Sequence, residues 1–217
     1  MKLKRPSLKV KRPSPVAIRR GLTALSVVMA LTGVGFIGYP FATDLWAARI
    51  QSRLVQQLAG GAAAYRLQTI EIGDALTKLE IPRLGVDTIV VEGATQAALY
   101  AGAGHYPETP LPGEVGNVAI AGHRTTFGKP FARMDELVPG DKVVLTTPLA
   151  RHVYEIDTRP WVVDAFDWSP VENYPLGGSF LTLTSCHPEG SATQRIVVRA
   201  HLVESSDVAL ASMIDNS

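Results

Sequence analysis

The stretch that decides the fold is LTLTSCHPEG, residues 181–190. Apolar and polar residues alternate as far as Cys186, which is the pattern of a β-strand with one buried face. Pro188 and Gly190 then interrupt it, and a second such run, RIVVR, occupies residues 195–199. We therefore predict a β-hairpin with Cys186 at its rim.

This hairpin would bring Arg195 close to Cys186, because the chain returns through residues 187–194 and the two strands form an antiparallel ladder. A nearby guanidinium favours the thiolate over the thiol and offers donors to a developing oxyanion. Arg199 shares the strand face but lies about 13 Å further along, at about 3.3 Å per residue. Arg195 is therefore the better candidate.

A cysteine nucleophile normally works beside a histidine that exchanges its proton, and the chain has five histidines. His123 directly follows an apolar strand that ends at Gly122, so it should lie at a strand terminus. His105 is a second candidate, on a loop. His187 adjoins the cysteine but should face away from it, because neighbours in an extended chain point to opposite sides. Two others lie inside strand-like runs and are expected at the surface, His152 and His201.

The rest of the chain after residue 74 is built of short apolar runs separated by Gly and Pro. Strands of this length and spacing predict a closed barrel or a sandwich, with few and short helices. The runs are residues 76–81, 88–91, 118–121, 142–146, 152–156 and 158–163, and the helical patches are 96–101 and 130–136.

The N-terminus differs in character. Residues 1–20 contain eight basic residues and no acidic one, and residues 21–43 are uncharged. The second segment is long enough to cross a hydrocarbon core of about 30 Å, and the basic flank predicts a cytoplasmic N-terminus with the remainder exported. A cleaved signal peptide would need a small-residue site beyond Ala42, and none is convincing. A nucleic-acid-binding arm is disfavoured because no aromatic residues are interleaved with the basic ones.

These patterns divide the chain into five parts. They are a basic cytoplasmic tail (1–20), a transmembrane signal-anchor (21–43), a stalk helix and linker (44–74), an exported β-domain (75–205), which the family resemblance described below implies to be a catalytic β-barrel, and a polar C-terminal tail (206–217). The stalk is predicted from the helical spacing of Trp46, Ile50, Leu54 and Leu58.

An exported domain with one cysteine has no internal disulfide. No cluster has metal-ligand spacing, so we predict neither metal nor cofactor.

Three separated motifs resemble the sortase family. Residues 182–186 resemble the signature Thr-Leu-x-Thr-Cys, with Ser185 where the family usually has Thr. Residues 122–124 resemble the segment that bears the sortase histidine, and Arg195 falls where the family's arginine is expected. Residues 123–131 further resemble the class E sortases of high-GC Gram-positive bacteria.

The resemblance implies an all-β fold, an eight-stranded sortase barrel with short helices behind an N-terminal transmembrane helix. It implies a membrane-anchored transpeptidase, with Cys186 as nucleophile, His123 as acid and base, and Arg195 stabilising the substrate oxyanion. Further substrate contacts are predicted at Thr184, Ser185, Arg124 and His105, and residues 171–178 are a candidate loop for substrate selection.

The partners implied are secreted proteins with a C-terminal sorting signal, Leu-Pro-x-Thr-Gly or Leu-Ala-x-Thr-Gly, and an amine on a peptidoglycan precursor or a pilin. The membrane is a further partner, and nucleic acid is not. Two alternatives stay open from the residues themselves. One is a thiol peptidase or amidase, in which water resolves the thioester. The other is a non-catalytic anchored β-domain that binds cell-surface partners and keeps an incidental buried cysteine.

Overall fold

A computed structural model describes residues 14–172 and 177–207 of the chain. The chain divides into two compact units, Met1–Tyr39 and Pro40–Ser217. Most of the predicted basic tail, residues 173–176 of the predicted selection loop, and the C-terminal tail from residue 208 on lie outside the described residues.

The second unit is mostly strand. Its strands are β1 (Ala75–Ile81), β2 (Val86–Glu92), β3 (Ala103–His105), β4 (Gly116–Gly122), β5 (Lys142–Thr146), β6 (Ala150–Ile156), β7 (Trp161–Asp164), β8 (Ser179–His187) and β9 (Gln194–Asp207). Helix α1 (Pro15–Gly60) and the short helix α2 (Ala62–Leu67) precede them. Three single-turn 3₁₀ helices lie in the loops, at Pro82–Leu84, Ala98–Ala101 and Met134–Glu136.

Eight of the nine strands close into a barrel. They run in the order β6-β5-β1-β2-β3-β4-β8-β9, and β9 pairs back onto β6. The fourteen-residue β9 makes this closure possible, because its first residues pair with β7 and its last with β6. The pairs β2–β3 and β4–β8 are parallel and the others are antiparallel. The predicted eight-stranded barrel is confirmed, and β7 is added outside it.

The barrel is filled by inward-facing apolar side chains, as the alternating strand patterns predict. Each such side chain contributes about 1.5–3 kcal/mol when it is fully buried. Strand β4 is buried at every position, which makes its C-terminal end a firm support. Core members from the strands that lead to the site are Val118, Ile120, Leu181, Leu183, Ile196 and Val198.

In the first unit, the described residues belong to the N-terminal part of α1. Its large apolar side chains are exposed, among them Leu31 at 67%, Val34 at 69% and Phe36 at 78%. By length and composition, residues Ile18–Gly60 contain a span apolar enough to cross a membrane. A helix with such a surface suits a lipid environment better than water. Helix α1 contains Pro40.

In the second unit, the last turns of α1 pack on the barrel. Leu54 and Leu58 are buried against β1 and β2. The Gln51 side chain accepts a hydrogen bond from the Ile89 amide (2.6 Å) and donates one to the Ile89 carbonyl (2.9 Å). Trp46, predicted on the same stripe, is instead 60% exposed. The end of α1 is therefore part of the same compact unit as the barrel.

Candidate active site

Strands β8 and β9 position the cysteine and the arginine. Their antiparallel register pairs Cys186 directly with Arg195. Cys186 is the second-last residue of β8 and is partly buried, whereas Thr184 and Ser185 before it are buried. The backbone ladder therefore fixes both Cα positions before any side-chain contact is considered.

Strand β4 brings the histidine to the same place. It runs parallel to β8 with Ala121 beside Thr184, and one residue further the Ser185 hydroxyl donates to the Gly122 carbonyl at 2.8 Å. The next residue after this contact is His123 on the β4 side and Cys186 on the β8 side. His123, Cys186 and Arg195 line one cleft of about 190 Å³.

The His123 ring is half-buried and packs against Phe127, with ring centroids 5.1 Å apart. Its backbone is held at both ends, because its amide donates to the Gly102 carbonyl (3.0 Å) and its carbonyl accepts from the Phe131 amide (3.2 Å). Burial lowers the pKa of the imidazole, which favours the neutral ring. Within the described chain Nε2 has no hydrogen-bond partner, so no structural bond occupies it.

Arg195 is partly buried and belongs to β9, which lies on the other side of β8 from β4. Its Nη1 donates to the carbonyls of Ala192 and Gln194, each at 2.9 Å. These bonds to its own loop orient the guanidinium, and they leave Nη2 and Nε to donate to a substrate oxygen.

Two aromatic residues that the sequence argument did not assign to the site form a wall of the cleft. Tyr106 and Trp168 both line it and meet edge to face, with centroids 6.1 Å apart. The Tyr106 hydroxyl lies 3.1 Å from the Thr184 hydroxyl, and burial raises the pKa of the phenol, which keeps it protonated. Nothing in the local pattern around Tyr106 marks it as a site residue, because only the fold brings it beside Thr184.

The four predicted substrate contacts fare differently. Thr184 and Ser185 line the cleft, although the Ser185 hydroxyl is committed to Gly122. Arg124 does not line it. His105 is only 1% exposed and is bound to the Glu92 carboxylate (2.9 Å) and the Pro110 carbonyl (3.0 Å). His105 therefore cannot reach a substrate, because its whole ring is enclosed in the fold.

Other predictions about individual residues have clear outcomes. His187 does not line the cleft and contacts Arg124 instead, as strand alternation predicts. His152, predicted at the surface, is 7% exposed, and its Nδ1 lies 3.0 Å from the Ser205 hydroxyl. Of the predicted selection loop, Val171 lines the cleft and residues 173–176 lie outside the described part. In residues 14–172 and 177–207, no group of three or more His, Cys, Asp or Glu residues could hold a metal ion.

Comparison with known proteins gives the fold a family. The family model described as "Sortase domain" matches residues 79–203. Sortase SrtE1 of Streptomyces coelicolor is 35% identical over 149 residues, which cover 63% of this chain and 42% of that protein. The chain thus spans less than half the length of that relative.

Solved structures agree with this match. Sortase E from Streptomyces avermitilis has 37% sequence identity and a TM-score of 0.59, covering 64% of this chain and 93% of that one. The sortase D5 transpeptidase of Clostridium perfringens has 27% identity and a TM-score of 0.64, covering 72% and 99%. A family match over more than half of the chain, on a barrel that carries the cysteine, histidine and arginine in one cleft, shows that this protein belongs to the sortase family.

Proposed function

We propose that this chain is a membrane-anchored cysteine transpeptidase. It cleaves a sorting signal of the type Leu-Pro-x-Thr-Gly or Leu-Ala-x-Thr-Gly between Thr and Gly, and transfers the new carboxyl end to an amine of the cell wall or of a pilin. The observation that carries the proposal is the pairing of β8 with a different strand along each of its edges. Cys186 pairs with Arg195 on one side, and on the other side lies β4, parallel to β8, which His123 directly follows.

In the first step, neutral His123 takes the proton of the Cys186 thiol, and Sγ attacks the carbonyl carbon of the substrate threonine. The lowered pKa of the imidazole supports this role, because a neutral ring can accept the proton. Charge develops on the carbonyl oxygen, where Arg195 donates to it. The C–N bond then breaks, the glycine amine leaves with a proton from the His123 imidazolium, and a thioester remains on Cys186.

In the second step, the acceptor amine attacks the thioester carbon. His123 removes a proton from the amine, and the thiolate of Cys186 leaves and is reprotonated. The new amide bond replaces the one that was broken, so no oxidant, metal or nucleotide is consumed. Water in place of the amine would give hydrolysis with the same residues. Cys186 is only partly buried, which argues against the alternative of an inert core cysteine.

The apolar helix supports the proposed location. We propose that residues 21–43 cross the membrane once, that the basic tail stays in the cytoplasm, and that the barrel of residues 75–205 lies outside the cell. An anchor there would keep the enzyme on the surface where membrane-retained substrates and lipid-linked acceptors lie.

The test uses the full chain in detergent, with both peptide types, an amine acceptor and mass spectrometry. We expect cleavage between Thr and Gly and an amine adduct. Cys186→Ala should abolish both products. His123→Ala should lower the rate about 10²- to 10⁴-fold, and Arg195→Ala about 10²- to 10³-fold. His201→Ala is the matched control, because His201 binds Asp157 away from the cleft.

Each other result has a definite meaning. A free carboxylic acid with no adduct, at saturating amine, would identify a hydrolase. No cleavage of either peptide, together with a Cys186 thiol that resists alkylation until the protein unfolds, would leave a non-catalytic anchored domain.

A further inference from the structure

Arg124 and His187 each follow one of the two proposed proton-exchanging residues, Arg124 after His123 and His187 after Cys186. Neither lines the cleft. Behind it, Nη1 of Arg124 lies 3.0 Å from Nδ1 of His187. The residues next to the histidine and the cysteine are therefore bonded directly to each other.

The direction of this bond is determined by the chemistry of its two groups. A guanidinium has only donors, so Nδ1 of His187 must be the acceptor. His187 is then a neutral imidazole with its proton on Nε2. Any side chain that places an acceptor atom where Nδ1 lies could replace it in this bond.

The Arg124 guanidinium is itself held firmly. Its side chain is only 5% exposed, and Nη2 lies 2.8 Å from Oδ1 of Asp135 and 3.5 Å from Oε1 of Glu189. Asp135 belongs to the segment after His123, and Glu189 to the loop after Cys186. A buried cation paired with one carboxylate from each segment joins them with charge-assisted contacts.

The position of the bond along the strands indicates its role. The paired residues of β4 and β8 end with Ala121 and Thr184, and the Ser185 hydroxyl then bonds the Gly122 carbonyl. His123 and Cys186 come next, and the Arg124–His187 bond follows one residue later. The reactive pair thus lies between two cross-links. Strand β4 ends at Gly122, and His123 is held beyond it by two single backbone bonds, to the Gly102 carbonyl and the Phe131 amide.

We propose that Arg124 is a positioning residue that acts through His187 to fix the separation of the His123 imidazole from the Cys186 thiol. It contacts neither the substrate nor the reacting atoms. A misplacement of about 1 Å between reacting groups can cost about 10²-fold in rate. The catalytic readout of this proposal rests on the proposed transpeptidase function, but the bond and its effect on the thiol do not.

The experiment uses Arg124→Gln, His187→Leu, the double variant and His187→Asn, each in the full chain in detergent. Arg124→Gln and His187→Leu should each lower kcat about tenfold, with KM changed less than about twofold, because ground-state binding of the peptide is untouched. The double variant should be no slower than Arg124→Gln alone, because the Arg124–His187 bond that His187→Leu removes is already lost with the Arg124 guanidinium, which also pairs with Asp135 and Glu189. His187→Asn should recover most of kcat, since Oδ1 of asparagine can accept from Arg124.

The matched control is Arg133→Gln. It also removes an arginine from the segment after His123, but this arginine pairs with Glu136 at the surface, 2.6 Å away. Its kcat should equal that of the native chain. If Arg124→Gln does not fold, as judged by its melting temperature, the comparison of His187→Leu with His187→Asn decides, because both of these variants keep the buried cation and its carboxylates.

A second readout needs no peptide, namely the rate at which iodoacetamide alkylates Cys186 at neutral pH. We expect this rate to fall several-fold in His187→Leu and to return in His187→Asn. If the native chain cleaves no peptide, the proposed function fails and the alkylation rates still decide the role of Arg124. The proposal is overturned if a well-folded His187→Leu keeps the native alkylation rate and kcat, or if the double variant loses the product of the two single losses.

Discussion

The two sides of the cleft are held in place by different means. On one side, the β8–β9 ladder pairs Cys186 with Arg195 through the backbone. On the other, β4 ends at Gly122, and the segment of residues 123–131 that carries His123 is held by loop and side-chain contacts. Phe127 in this segment even has a φ of 52°, a conformation that a non-glycine residue adopts only when its surroundings impose it.

This difference indicates which side of the site tolerates substitutions better. A ladder keeps two residues opposite each other whatever their neighbours' side chains are, whereas the histidine depends on contacts that come from several distant parts of the chain. One of them is Asp44 in helix α1, whose carboxylate accepts the Gly128 amide at 2.9 Å and pairs with Lys129 at 3.1 Å. Substitutions around His123 should therefore cost more activity than substitutions around Arg195.

The largest effect is expected for Gly122→Ala. An added Cβ at Gly122 would lie 2.5 Å from the ring of Phe131, which is fully buried and cannot move aside. We expect a loss of about 1–3 kcal/mol in the free energy of unfolding, typical of an overpacked site. The rate should fall about 10²-fold, because His123 is the next residue. Urea unfolding and peptide turnover measure both. A variant with native kcat would show that the histidine side is as robust as the ladder.

An intermediate effect is expected for Phe127→Ala, which removes the ring that packs on His123 and on Tyr100. With less burial, the pKa of His123 should rise toward its ordinary value, which an NMR titration of the imidazole can follow. We expect kcat to fall about tenfold. The control on the ladder side is Thr193→Ala, which removes a hydroxyl contact to Ser191 at 3.1 Å and should leave kcat unchanged.

The burial of His123 also makes the stability of the fold depend on pH. Because the folded-state pKa of His123 is lowered from 6.5, its contribution is fully present above pH 6.5 and is lost as the pH falls below that value. Phe127→Ala should reduce this acid-side loss. An unchanged titration in the variant would mean that another contact shields the ring.

The smallest effect is expected for Asp44→Ala in the full chain. The lost hydrogen bond and partly exposed ion pair are worth about 1 kcal/mol together, so kcat should fall at most about fivefold. Asp44→Asn keeps an acceptor for the Gly128 amide and should lose less. Gln57→Ala is the control, because it removes a contact of the same helix with Asp74 instead. An equal loss in the control would trace the effect to the helix as a whole.

The same contrast explains what the sequence could predict. Alternation and breakers located most of the strands, and the hairpin argument depended only on backbone pairing. Strand β3 was missed because three residues with a central glycine carry no periodic signal. The predicted run 158–163 contains Pro160, and the strand begins only after it, at Trp161. The prediction that eight strands close into a barrel came from the family resemblance, because the strand pattern alone allowed a barrel or a sandwich.

Around the site, the misses have one physical cause. Tyr106, Phe127 and the partners of Arg124 reach the site through tertiary contacts that no local spacing encodes. His105 was misjudged for the same reason, because its partner Glu92 lies on another strand and encloses it in the fold. The residues found from the sequence are those whose backbone position alone carries them to the cleft.

The parallel pairing of β4 with β8 also bears on when activity appears during folding. The residues joined at the end of these strands are 63 positions apart in sequence. Such non-local pairs form late, because the entropy of closing the intervening chain must be overcome first. Under the proposed mechanism an incompletely folded chain has Cys186 without His123 beside it, so we expect peptide turnover only once the barrel is complete. The time at which peptide turnover appears in a refolding experiment therefore reports when the barrel closes.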